Sequence, residues 1–235
     1  MKTMKKNVLL ISVGLLFAVA TAHAQDKVET TLSADVVNHY VWRGTDCGNV
    51  SIQPTLGVAY KGLSLSAWGS VGLDKDDNKE LDLTASYSVG GFSIGVTDYW
   101  FNTPEKRYFY YNAHGTSHIF EGYVSYDFGP VSAAWYTNFA GNDGVNKDGD
   151  RAYSSYFEVN APFKLGGVDW TATAGAVPFA TTTYNTSGFA VTNLALKASK
   201  DIQITDHFTL PIFGQVVANP SDQKAYFVFG FTLQP

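Results

Sequence analysis

The residues with the most capacity for chemistry in this 235-residue chain are scattered acids and a few bases. Arg43, Glu80, Asp82, Glu121, Glu158 and Lys197 each fall in step with polar neighbours inside segments whose alternate positions are apolar, and His39, Gln53 and Trp68 share that polar phase. Period-two alternation puts residues of one kind on one face of a β-strand. Carboxylates gathered opposite a guanidinium can do one of two things. Where water reaches them, they set a transverse field that sorts solutes by charge. Where they are packed, they pair and brace a wall, because an unpaired buried charge is costly. The spacing leaves both readings open.

Other groupings offer less. The segment 101–117 holds Tyr108, Phe109, Tyr110 and Tyr111 beside His114, with His118 just after it. It could fold inward, stack a sugar or a nucleobase, or extend the wall as a hairpin, the last being the expectation. Asp74, Asp76, Asp77 and Asn78, and again Asp143, Asn146, Asp148 and Asp150, are calcium-like in composition. Neither set has the Gly at position 6 and Glu at position 12 of a calcium-binding helix-loop-helix, so solvated loop tips are expected and no metal. There is no Gly-x-Ser-x-Gly elbow and no His-x-Ser pair, so no catalytic residue is assigned, although His114 and Ser117 share a loop. Cys47 is the one cysteine, which excludes an intramolecular disulfide.

Strands must position these side chains. Leu63, Leu65, Ala67, Gly69 and Val71 alternate with Ser64, Ser66, Trp68 and Ser70, and Leu81, Leu83, Ala85, Tyr87 and Val89 alternate with Glu80, Asp82, Thr84, Ser86 and Ser88. Twelve such segments are predicted: 32–43, 51–60, 63–71, 80–89, 92–100, 118–128, 131–139, 153–161, 168–177, 189–199, 208–217 and 225–233. Short links such as Lys61-Gly62, Gly90-Gly91 and Gly129-Pro130 alternate with longer polar ones at 44–50, 72–79, 101–117, 140–152, 178–188 and 218–224. A membrane barrel alternates its two rims in this way. The link 200–207 is too long for its place in the scheme.

Charge placement points the same way. On the less apolar face lie Asp35, Arg43, Glu80, Asp82, Glu121, Asp127, Glu158, Asp169 and Lys197, seven acids and two bases, while Asp98 alone shares a face with Phe92, Ile94, Val96 and Trp100. A soluble barrel or sandwich would show the reverse, apolar inside and charge outside. Asp98 is expected near the long-loop end, or turned inward by a bulge. Aromatic belts are expected from Tyr40, Trp42, Trp100 and Phe139 at one rim and from Tyr60, Phe92, Phe128, Trp170 and Phe208 at the other.

Lys2, Lys5 and Lys6, the apolar run 8–20 and Ala22-His23-Ala24 read as a cleaved signal peptide at 1–24, leaving a barrel domain at 25–235. An anchoring helix is the alternative, but the run is shorter than the roughly 20 residues a spanning helix needs. Removing that leader takes three lysines from the 16 basic residues and none of the 21 acids, so the mature charge is −8, without the basic patch a nucleic-acid partner requires.

Tyr40-Val41-Trp42-Arg43-Gly44, Gln53-Pro54, Ala67-Trp68-Gly69-Ser70, Glu80-Leu81-Asp82-Leu83 and Phe120-Glu121-Gly122-Tyr123 resemble the TorF-like (Gcw-type) outer-membrane porin family over about residues 30–140. That likeness implies an outer-membrane barrel with porin character. The last segment, Tyr226 to Leu233, resembles the C-terminal signal read by the barrel-assembly machinery, departing from it by ending in Gln234-Pro235. The expectation is an all-β, antiparallel transmembrane barrel in outer-membrane lipid, passing small hydrophilic solutes by diffusion with no cofactor and a weak preference for cations. A closed structural or adhesive barrel acting through its loops is the alternative, and a lipid-modifying enzyme a third.

Overall fold

In a computed structural model the described residues are 27–235, excepting 75, 76, 78, 103–106 and 114. The leader assigned to 1–24 therefore lies outside the described residues, as do His114, Asp76 and Asn78. The elements are all strands: β1 (Glu29–Val37), β2 (Tyr40–Trp42), β3 (Thr45–Gly48), β4 (Ser51–Tyr60), β5 (Leu63–Gly72), β6 (Lys79–Val89), β7 (Phe92–Phe101), β8 (His118–Asp127), β9 (Ser132–Gly141), β10 (Ser155–Leu165), β11 (Val168–Val177), β12 (Ala190–Thr205), β13 (Phe208–Asn219) and β14 (Lys224–Leu233).

Twelve of them close an antiparallel barrel, with β2 and β3 forming a separate two-stranded sheet. Each barrel strand pairs with its neighbour in sequence once that hairpin is skipped, and β1 meets β14 through Ala34↔Leu233 and Val37↔Gly230. Closure leaves no free edge. The twelve barrel strands are 9 to 16 residues long, enough to cross a bilayer's apolar layer when tilted.

The sidedness is that of a membrane barrel. Leu32, Leu56, Leu65, Val96, Val124, Val216 and Phe227 are exposed on the outer wall, while Asp35, Gln53, Glu80, Asp82, Glu121, Asn160 and Lys197 are buried on the inner one. One end of the barrel carries tight turns. There β12 runs on to Thr205 with a bulge between Gln203 and Thr205, and the chain turns at Asp206-His207. The link predicted at 200–207 is thus mostly strand, and its apparent excess length disappears.

The first strand departs most from expectation. It ends at Val37 and not at residue 43. Asn38 explains the exit: its side-chain oxygen accepts from the Phe229 N–H (2.7 Å) and its side-chain nitrogen donates to the Phe227 carbonyl (3.1 Å). The amide occupies the rung that the next strand residue would have filled, so the main chain leaves the wall without orphaning β14.

Candidate functional site: a hairpin across the lumen

Past Asn38 the chain folds as β2–turn–β3, pairing Val41↔Asp46 and Trp42↔Thr45. The two-residue turn is Arg43-Gly44, both with positive φ (50° and 81°), the type I′ geometry that suits a tight hairpin. No substitution with a β-carbon fits at Gly44, whose added Cβ would fall on the Thr192 carbonyl of β12. The tip is therefore pressed against the wall at β12 and β13, where Asn219 Nδ2 also donates to the Gly44 carbonyl (3.1 Å).

Successive residues of the hairpin point in opposite directions, and the lumen is furnished to match. Val41 packs against a small apolar cluster of Val37, Phe213 and Val228. Trp42 packs against a second, Tyr123, Ala134, Tyr136, Tyr156, Val177 and Tyr184, stacking on Tyr184 with centroids 5.7 Å apart and meeting Tyr99 edge-on. Tyr40 donates to Glu80 (3.1 Å) and tilts against Trp68. The hairpin thus touches both sides of the barrel interior near the long-loop end.

Arg43 is the centre of the arrangement. Nη1 and Nη2 donate to the two Glu121 carboxylate oxygens at 2.6 and 2.8 Å, and Nη1 donates to the Tyr184 hydroxyl at 2.7 Å. The guanidinium carbon lies 4.0 Å from the Tyr136 ring centre, 4.3 Å from Trp42 and 4.7 Å from Tyr156. A bidentate pair enclosed by aromatic faces is strong recognition for a planar cation. The Arg43 and Glu121 side chains are 7% and 2% exposed, so this pair is packed and does not face open water. Burial pushes the Tyr184 phenol well above its ordinary range, keeping it a neutral acceptor for Arg43. Burial likewise raises the Cys47 thiol, so this cysteine stays protonated within the hairpin.

The other residues singled out from sequence fall as follows. Gln53 faces inward and donates to Ser51 (3.0 Å). Trp68, Glu80 and Asp82 lie along the inner wall of β5 and β6 beside Tyr40. Glu158, half-buried, accepts from Tyr156 (2.7 Å) and Asn160 (2.8 Å). Lys197 is buried on the inner wall with its ammonium 4.0 Å over the Phe213 ring and no hydrogen-bond partner among the described residues. His39 is not on a lumen-facing strand. It sits at the hairpin base, where it pairs with Asp46 (3.0 Å). Tyr40 and Trp42, expected in an aromatic belt, point into the lumen because the hairpin carries them there.

Two features were missed, the tyrosines of the lumen and the path of segment 101–117. Tyr99, Tyr136 and Tyr156 sit on the polar phase of their strands, a signal present in the sequence as aromatic residues out of step with the lipid face. Asp98 does face outward, where its carboxylate meets His118 Nδ1 at 2.7 Å. Segment 101–117 neither enters the pore nor extends the wall over its described residues: Tyr108 and Tyr111 fold onto the outer side of the rim, Tyr111 stacking on His118 (4.4 Å) and the Tyr108 carbonyl meeting His118 Nε2 at 2.6 Å. The loop covers the Asp98 carboxylate on the lipid side.

The fold and site define a closed twelve-stranded antiparallel barrel with a polar interior crossed by its own first long loop. No family model matches the chain, and no curated protein matches it. Among solved structures, the chain is similar to a NanC porin at 10% identity, with a TM-score of 0.48, over 87% of this chain and 98% of that one. At that score the likeness adds nothing to the strand-by-strand closure.

Proposed function

We propose that this chain is an outer-membrane barrel acting as a passive channel for small hydrophilic solutes, with a weak preference for cations and a bore narrowed by the hairpin Tyr40–Gly48. The observation that carries this reading is the sidedness of the wall, an apolar exterior enclosing a charged interior. Away from the hairpin, toward the tight-turn end, the inner wall carries half-buried Ser33, Ser64, Ser66, Ser86, Ser88 and Ser125, small hydroxyl residues that suit a wetted passage. On this reading the tight turns face the periplasm, the long loops face outward, residues 1–24 direct export, and β14 is presented to the barrel-assembly machinery. No cofactor is needed, and no residue is given a catalytic role. The Asp98–His118 pair resembles part of a hydrolase site, but its second ring nitrogen is taken by a backbone carbonyl.

The inner wall's buried or half-buried acids Asp35, Glu80, Asp82, Glu121 and Glu158 outnumber Lys197 and the hairpin's Arg43, which motivates the cation preference. Arg43 is already neutralised by Glu121. Reversal potentials in planar bilayers under a salt gradient test it; values favouring anions overturn the preference, and a complete lack of current steps overturns the channel. The packed seat of Arg43 favours a second reading, a closed barrel braced by its hairpin and acting through its loops. Replacing residues 40–48 by two glycines separates the two. A narrowed channel gains conductance in that variant, whereas a structural brace loses stability and gains none.

A further inference from the structure

We propose that Arg43 is the tethered occupant of a binding subsite for organic cations, a site that takes the guanidinium or ammonium group of a solute when the hairpin withdraws. The groups that hold Arg43 belong, apart from Trp42, to the barrel and its loops: Glu121 on β8, Tyr136 on β9, Tyr156 on β10 and Tyr184 in the loop before β12. Together they offer a planar cation a carboxylate edge and two aromatic faces.

That set does not depend on Arg43 for its own order. Tyr99 donates to Glu121 Oε1 (2.8 Å), and Tyr156 donates to Glu158 (2.7 Å) while accepting from Asn193 (3.0 Å). Gly175 makes the room for Tyr156, since a Cβ there would lie on the phenol oxygen. The pocket wall is therefore preorganised from behind. A brace alone has no use for this composition, because a well-packed apolar contact would fix the hairpin at lower desolvation cost than a buried ion pair.

The hairpin is also attached in a way that permits withdrawal. Its two strands pair only with each other, outside the barrel ladder, and its tip is held through side chains, chiefly Arg43 and Asn219. Leaving breaks no barrel rung; it uncovers the small apolar cluster of Val37, Phe213 and Val228 together with the polar groups that hold Arg43. A group on a short flexible tether acts at an effective concentration on the order of millimolar. The hairpin's further contacts through Tyr40 and Trp42 add to what a free cation must overcome, so competition is expected above that concentration in wild type. The two readings of the lumen charges then become two states of one site. Arg43 seated gives the brace; Arg43 displaced leaves an acidic, aromatic constriction. The role in transport rests on the channel reading, but the binding does not.

The test uses folded protein in detergent and titration calorimetry with methylguanidinium, tetramethylammonium, sodium and urea. Arg43→Ala is expected to bind methylguanidinium at least tenfold more tightly than wild type and than the Arg43→Ala/Glu121→Gln double variant, with urea and sodium showing no such difference. Equal affinity across the three proteins overturns the proposal. Should Arg43→Ala not fold, Arg43→Gln keeps the side-chain length and makes the same comparison. In planar bilayers, methylguanidinium should produce resolved current blocks in Arg43→Ala that Glu121→Gln removes. Binding without current in any variant keeps the subsite and discards the channel, while current without methylguanidinium-specific binding keeps the channel and discards the subsite.

Discussion

Arg43 and Glu121 show how one contact sets the character of this lumen. A buried pair gains from its two short charge-assisted bonds and loses from desolvation, so its net worth is small, but removing one partner strands the other. Glu121→Ala should therefore cost about 3–5 kcal/mol if Arg43 stays buried. The hairpin has a way out, because its tip can leave and hydrate, so the loss cannot exceed the free energy that docks it. Urea unfolding of the lipid-reconstituted protein measures the loss, and no change relative to wild type would show that the pair contributes nothing to the resting state. A second residue-scale prediction concerns Gly175, which lies beneath the Tyr156 hydroxyl. Gly175→Ala should destabilise, and less so in a Tyr156→Ala background, where the hydroxyl and the ring carbons that an added Cβ would meet are all gone. Coupling in such a contact runs to about 0.5–3 kcal/mol, and strictly additive losses would show that the phenol shifts aside freely.

At the scale of elements, the alternation in Tyr40-Val41-Trp42 was readable as strand and is strand, but periodicity does not say which sheet a strand joins. The distinguishing signs were local: Arg43-Gly44 as a two-residue turn with a second short strand after it, and Asn38 before it, able to stand in for a rung. The fate of segment 101–117 was less legible, since nothing in its composition says whether aromatic residues turn inward or lie along the outer wall. Its partner decided that. Both ring nitrogens of His118 face accepting oxygens, the Asp98 carboxylate at 2.7 Å and the Tyr108 carbonyl at 2.6 Å, so the ring fastens the loop to β7 from two sides. Asp98→Ala or His118→Ala should free this loop without opening the barrel. Limited trypsin digestion should then cut after Arg107 several-fold faster than in wild type, with the barrel core still heat-resistant on gels. Unchanged cutting in Asp98→Ala alone would leave the contacts of His118 with Tyr108 and Tyr111 as the anchor. Unchanged cutting in both variants would mean that His118 does not hold the loop.

For the whole molecule, the inside-out pattern was the most legible property, because a period of two together with exclusion of charge from lipid fixes each strand's orientation without knowledge of its partners. Strand order followed from the alternation of short and long links. The interior resisted reading, since what fills a lumen is decided by contacts between residues more than a hundred positions apart, as between Arg43 and Tyr184. The orientation itself makes a prediction that neighbouring positions of one strand can test. Val124 is exposed on the outer wall of β8, and Ser125, next in the chain, is half-buried on the inner wall. An arginine on the lipid face near mid-depth costs about 2–4 kcal/mol, less toward the interfaces, whereas lumen positions accept charge and change selectivity instead. Val124→Arg should therefore lower the unfolding midpoint in lipid vesicles while leaving ion preference unchanged. Ser125→Arg should leave the midpoint near wild type and move the reversal potential toward anions. The opposite pattern would mean that the wall faces the other way, with the apolar side enclosing the core of a soluble barrel.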